Sequence, residues 1–268
     1  MPDLTRRQLF ELAGGVAAGG ATLGAGWREV AASLERRHNI LLVIVDSLRA
    51  DHLGAYGNER VRTPAMDALA ADGMRFTRVF PTAMPTVPAR RSIFTGRNIF
   101  PFEGWQPWDG LGRTPGWSPI MPGEATLATE LRRRGYWTGY VTDNPFLAYA
   151  PPFEPFRRSF HEFLTQGGQG TISVPASEMS KVSVEQARAT LPAAFQDEKH
   201  IDAMRRYMIT NGVTGDTIDE SEIAAARVFR TGEMLLRTAL LQRPFLLVVD
   251  SFDPHEPWVV PPRYLDLY

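Results

Sequence analysis

The run Pro85-Thr86-Val87-Pro88-Ala89-Arg90 sets a hydroxyl, a proline and a guanidinium at alternate positions. Proline presets φ and needs no amide donor in a first helical turn, so Pro88 marks where a short helix can begin. Arg90 then faces back over that turn, and the Thr86 hydroxyl just upstream sits above exposed N–H groups beside the guanidinium. Such a place is a cradle for a tetrahedral oxyanion. A proline-rich turn followed by a surface helix, with Arg90 paired to an acid, accounts for the same residues. Carboxylates form a second set. The runs 40–45 (ILLVIV), Tyr136–Val141 and Phe245–Val249 lead to Asp46, to Asp143 through Thr142, and to Asp250, the last continuing to Asp253. The carboxyl ends of parallel strands are where open α/β sheets place ligands, although single acids there also cap helices.

Composition narrows the chemistry. Cysteine is absent, which removes thiolate nucleophiles, disulfides, iron–sulfur clusters and sulfur-ligated zinc. The histidines, at 38, 52, 161, 200 and 255, are too scattered for a local ligand pair. A bound metal would therefore lean on Asp and Glu, which favours a hard cation. Lys and Arg number 29 against 30 Asp and Glu, so no overall field points to a nucleic-acid partner.

The elements that would position these residues read as α/β, a mostly parallel sheet flanked by helices. The 40–45 run is rich in β-branched residues and apolar at every position, which suits a strand covered on both faces. Thr63 can cap a helix with Pro64 at its first position and Gly73 beyond it, followed by an extended segment at Met74–Phe80. A helix from about Glu124 to Arg134 ends in basic residues before Gly135. Another begins at Ser221 and stops before Pro244, feeding the strand at Phe245. Residues 96–122 are rich in Gly, Pro and Trp and form loops, where Trp105, Trp108 and Trp117 either line a sugar or aromatic site or pack among themselves. Residues 165–220 are polar, with one helical piece near Glu198–Met208, and are expected to be a variable insertion or lid.

Four ordered blocks carry a family resemblance: NILLVIVDSLRADHLGAYG, TPAMDALAADGMRFTRVFPTAMPTVPARRSIFTGR, PGEATLATELRRRGYWTGYVTDN and RPFLLVVDSFDPHEPWVVPPRY. The chain resembles the sulfatases and related hydrolases of the alkaline phosphatase superfamily. The resemblance implies that Asp46 is a metal-binding aspartate, that Thr86 holds the nucleophile position and touches the metal, and that Arg90 steadies the nucleophile and the ester oxygens. It implies that His255 lies near the sulfate or phosphate oxygens and aids leaving-group protonation. Ser47, Arg49 and Asp253 are placed behind these or on the substrate side. Ser47 stands where many sulfatases carry a second aspartate. Thr86 stands where sulfatases oxidise Cys or Ser to formylglycine, and its β-methyl excludes that aldehyde. Threonine is instead a direct nucleophile in phosphoester branches of the superfamily.

Residues 1–37 form a separate segment. Arg6-Arg7 before the Gly/Ala-rich stretch Leu9–Gly26 resembles a twin-arginine export signal, which implies the translocation machinery as a partner and a periplasmic or exterior destination. Glu11 and modest hydrophobicity argue against a stable membrane span. Residues 38–268 then read as the N-terminal portion of a sulfatase-like catalytic domain, since the family's later metal block has no counterpart before Tyr268. The expected function is metal-dependent hydrolysis (Ca, Zn, Mg or Mn) of a sulfate or phosphate ester of a small molecule, carbohydrate or lipid, with phosphoester chemistry favoured by Thr86. The alternatives are a catalytically inactive binding protein on the same fold and a phosphoryl-headgroup transferase.

Overall fold

A computed structural model describes residues 37–169 and 173–268. The twin-arginine segment lies outside the described residues. Residues Asn39–Tyr268 form one unit. Its strands are β1 (Ile40–Val45), β2 (Trp137–Thr142), β3 (Glu162–Thr165), β4 (Val213–Thr214), β5 (Thr217–Ile218) and β6 (Phe245–Ser251). Its helices are α1 (Pro64–Asp72), α2 (Thr86–Thr95), α3 (Leu127–Arg133), α4 (Pro145–Tyr149), α5 (Glu154–Arg157), α6 (Val184–Thr190), α7 (Glu198–Thr210), α8 (Ala224–Leu241) and α9 (Pro262–Leu265), joined in places by short 3-10 turns.

The main sheet runs β1-β6-β2-β3, all parallel. The last strand in sequence therefore fills the slot between the first two. Side-chain alternation sorts the strands onto two faces. Leu246 and Val248 of β6, Tyr140 of β2 and Ile40, Leu42 and Ile44 of β1 pack with Val87 and Phe94 of α2 and with Phe153, Phe156 and Phe160. Phe245, Leu247 and Val249 of β6 and Val141 of β2 meet Val228, Leu235 and Ala239 of α8 on the other face.

Among the described residues, β1 is packed against helices on one face only. Leu41 and Val43 are 50% and 45% exposed, because β1 is the edge strand and α8 lies over β6 and β2 instead. The expected extended segment at 74–80 forms no strand. It pairs with no strand among the described residues, although Tyr56 donates to the Phe76 carbonyl at 2.9 Å, and Met74, Phe76, Val79 and Phe80 are exposed. Thr63 holds the N-cap position of α1 without capping it: its hydroxyl donates to Asp67 and accepts from the Gly54 amide. Helix α3 starts later than the sequence suggests, at a capping box in which Thr126 and Thr129 satisfy each other's amides. The 165–220 region contains more structure than its weak periodicity suggests. Helices α6 and α7 and the β4–β5 hairpin enclose a small core of Val182, Ala187, Ile201, Met204, Tyr207, Met208 and Val213, against which Val259 packs.

Gly232 sets the approach of α8 to the sheet, since a Cβ there would stand 2.8 Å from Cγ2 of Val249. Mid-helix glycine ordinarily costs up to about 1 kcal/mol relative to alanine, so its presence reflects packing. Replacing it with valine should destabilise the fold by about 1–3 kcal/mol through overpacking, read as a lower denaturant midpoint in chemical unfolding.

Candidate active site

Helix α2 begins at Thr86, with Pro85 as N-cap and no side-chain oxygen capping it. The Ala89 amide donates to the Pro85 carbonyl at 2.9 Å, and Pro88, in the first turn, has no amide to satisfy. The amides of Thr86 and Val87 lie ahead of the first intrahelical bond and have no partner within the helix. Val87 and Phe94 bury one side of α2 in the core, and Gly96 closes it in the left-handed region at φ 65°. Thr86 and Arg90 are buried as well, so this is no surface helix.

One turn below Thr86, Arg90 joins two strand ends. Its Nη2 and Nε donate to the two oxygens of Asp250 at 2.6 and 3.2 Å, and its Nη1 donates to Asp46 Oδ2 at 2.6 Å. Tyr140 donates to Asp250 Oδ2 at 2.6 Å, and Ser47, at φ 59°, donates to Asp46 Oδ1 at 3.0 Å. The sheet register makes this meeting possible. Ile44 pairs with Asp250 and Val45 with Ser251, while Thr142 pairs with Asp250 from the other side. The Asp46 amide extends the ladder to the Ser251 carbonyl. Burial pulls the Arg90 pKa down, but Asp250 and then Asp46 outweigh it, and the guanidinium stays firmly protonated. Burial, reinforced by the Asp250 charge, pushes the Tyr140 phenol well up, so it remains a donor.

A second acidic group lies at the ends of β2 and β6. Asp143 is buried and accepts the Phe252 amide at 2.7 Å. Burial pushes its carboxyl up to about 7; the Phe252 hydrogen bond opposes this, and the charges of Asp253 and Asp250 add to it. Burial also raises Asp253, whose Oδ1 accepts from Tyr207 at 3.4 Å. The His255 ring stacks on Phe252 at 4.4 Å with Nδ1 2.7 Å from the Glu256 carbonyl, which assigns the proton to Nδ1.

The structure thus gathers Asp46, Ser47, Thr86 and Arg90, and it adds Asp250 and Tyr140 to them. Asp253 and His255 are carried on the loop after β6 and bond elsewhere, Asp253 to Tyr207 and His255 to the Glu256 carbonyl, while Arg90 is bonded to Asp46 and Asp250. Arg49 is elsewhere: it is 70% exposed and ion-paired to its neighbour Asp51, which takes it away from the role behind the metal that the resemblance implies. Arg90 also departs from expectation. Its three donor nitrogens point to carboxylates rather than to an ester, as in the alternative in which it pairs with an acid. Asp250 was visible in the sequence as a strand-ending acid, but nothing local marked Tyr140, which sits mid-strand. Trp117 packs edge-on against Phe146 at 4.6 Å and Trp105 packs against the same core, so these two belong to a packed loop.

A dication at this place would need carboxylate oxygens free to coordinate it. Both Asp46 oxygens are engaged, by Arg90 and Ser47, and Asp250 faces the same guanidinium. Among the described residues no three His, Asp or Glu side chains come together as a metal site. The donor set present does not fit a divalent ion, and Arg90 supplies the positive charge between the two acids.

The sulfatase family model matches residues 38–268. The uncharacterised sulfatase YidJ of Escherichia coli K12 is 25% identical over 237 residues, covering 87% of this chain and 41% of that protein. Human arylsulfatase A is 34% identical over 132 residues, covering 47% of this chain and 25% of its own length. Phosphonate monoester hydrolase of Agrobacterium radiobacter superposes with a TM-score of 0.56 at 24% identity, over 87% of this chain and 44% of that one, and the likeness shows a shared fold. The chain spans less than half the length of these relatives.

Two outcomes test the electrostatics. Asp250→Ala leaves a buried guanidinium half-paired and should cost about 3–5 kcal/mol in chemical unfolding, whereas Arg49→Ala should fall within about 0.5 kcal/mol. Asp143 binds a proton more tightly folded than unfolded, so its contribution to stability is present at low pH and is lost as pH rises from about 4 through about 7. Asp143→Asn keeps an acceptor for the Phe252 amide and removes the charge. It should flatten that part of the stability–pH profile and stabilise the protein at pH 8 by roughly 2–4 kcal/mol.

Proposed function

Because the chain belongs to the sulfatase family, we propose that it carries the nucleophile-bearing part of an ester-hydrolase site, with phosphate esters favoured over sulfate esters. The observation that carries this reading is the position of Thr86: buried, at the first residue of α2, with uncapped first-turn amides around its hydroxyl and the helix pinned beneath it by Arg90. A helix N-terminus stabilises the charge that develops on a phosphoryl group under attack. Oγ of Thr86 forms a bond to phosphorus, the ester oxygen departs, and the hydroxyl proton leaves with the alcohol. Water then attacks the phosphothreonine, returning Thr86 and releasing phosphate. His255 is the group assigned to pass the proton to the alcohol, with Nε2 as the exchanging nitrogen while Nδ1 is held by Glu256. These steps use no dication, since no set of three His, Asp or Glu ligands is assembled among the described residues.

Formylglycine chemistry does not enter, since Thr86 cannot yield the aldehyde. Export to the periplasm or cell exterior belongs to the same proposal and rests on Arg6-Arg7 and the segment after them. No helix among the described residues is long and apolar enough to cross a membrane. The second reading, a non-catalytic binding protein, is favoured by the full engagement of Arg90, Asp46 and Asp250 with one another.

Incubation of the full chain with 4-nitrophenyl phosphate, quenched in acid and analysed by peptide mass spectrometry, should show a phosphate adduct at Thr86. Thr86→Ala should lose the adduct and drop turnover by about 10³-fold or more. Turnover at the wild-type rate in Thr86→Ala overturns the assignment. An inert protein that still binds phosphate supports the second reading.

A further inference from the structure

The insertion and the loop after β6 together line a half-open cavity of about 500 Å³. Its walls include Leu191, Pro192, Phe195, Met204, Tyr207 and Trp258. That volume falls in the range of small-molecule sites, which combine apolar walls with few polar groups. Apart from Glu256, the polar side chains that line it each have a partner within the protein. The Thr190 hydroxyl donates to the Ala187 carbonyl at 2.8 Å, Gln169 Nε2 to the His255 carbonyl at 2.8 Å, and Trp258 Nε1 to the Pro254 carbonyl at 2.8 Å. The Tyr207 hydroxyl is spent on Asp253, and His200 Nδ1 is paired with Asp197. What faces the space is hydrocarbon and ring surface, with Glu256 exposed at the rim. A sugar needs hydrogen-bond partners for its hydroxyls and finds few here, whereas flat ring systems bury apolar area against Phe195, Tyr207 and Trp258.

The cavity is joined to the anion cradle by β6. Asp250 binds Arg90 at the strand end, and three residues later Asp253 binds Tyr207 in the cavity wall. Three extended residues span at most about 11 Å. The next turn carries His255, whose carbonyl is held by Gln169 of the lining.

We propose that this cavity seats the ring-bearing, apolar alcohol portion of the ester, a fused-ring or aryl group rather than a sugar. The assignment of that alcohol as a leaving group rests on the hydrolase reading above, while the binding chemistry of the cavity does not. Calorimetric titration of the full chain with 2-naphthol, with D-glucose as control, separates the two. Ala203 and Trp258 are exposed in the cavity wall, so Ala203→Trp and Trp258→Ala should fold with unchanged melting temperature. Naphthol should bind, and both variants should weaken it at least tenfold, while Thr86→Ala should leave it unaltered. If the chain turns over esters, Ala203→Trp should lower kcat/KM for 2-naphthyl phosphate and spare methyl phosphate. Absence of naphthol binding, binding indifferent to Ala203→Trp, or glucose binding equally well overturns the proposal. Failure of the Thr86 adduct with naphthol binding intact overturns the hydrolase reading alone.

Discussion

A guanidinium buried between two carboxylates is the constraint on which the rest of this fold depends. Arg90, Asp46 and Asp250 come from α2, β1 and β6, far apart in sequence. Each would be costly to bury alone, because desolvation of an unpaired ion exceeds what packing returns. The triad therefore becomes favourable when β6 is seated between β1 and β2, in the register that places Asp250 beside the end of β1. Tyr140 and Ser47 satisfy further carboxylate oxygens, which is what makes such a network tolerable in a low dielectric. The pairing selects one strand order and one register, and in doing so fixes the depth of α2. The start of that helix, and with it Thr86, is held in place from below.

This arrangement reassigns the sources of positive potential at the site. Two carboxylates outnumber one guanidinium, so Arg90 is neutralised from beneath and contributes little net attraction to an incoming anion. The uncapped amides of Thr86 and Val87 and the dipole of α2 supply it instead. Backbone donors have a fixed direction, which suits a tetrahedral group whose charge grows during attack. Arg90 is better described as a positioning residue: it locks the helix start to the strand ends. The same engagement explains why Asp46 is not poised as a metal ligand in this chain, since an aspartate shared between Arg90 and Ser47 has its oxygens directed to donors.

Much of the architecture was legible because it rests on local rules. The apolar runs ending in Asp46 and Asp250 gave strands and their polarity, and Pro88 gave a helix start within two residues of the observed one. What was not legible depended on long-range order. That β1 lies at an edge, leaving Leu41 and Val43 exposed, follows from the position of α8 and cannot be read from the uniformly apolar run ILLVIV. Tyr140 became part of the site only because mid-strand alternation turned it toward Asp250. Arg49 misled in the opposite way: its block matched the family, yet the adjacent Asp51 captured it. The insertion hid its fold because its core is small, and its apolar residues are spread over two helices and a hairpin.

The end of β6 carries the deepest consequence of this topology. Within four residues it presents Asp250 to Arg90, offers the Phe252 amide to Asp143 and sends Asp253 to Tyr207 of the insertion. Alternation along an extended chain turns these groups to different sides, so one segment is anchored to the α2 face, to β2 and to the insertion at once. A segment held at three points can shift little without disturbing all of them. The insertion is thereby coupled to the anion cradle through short covalent distance and not through a flexible hinge. Sequence change in the insertion can then reshape what the cavity accepts while the strand end keeps its pairing with Arg90. Under the proposed function, the strand end would keep the chemistry constant on one side of β6 and leave specificity free to vary on the other.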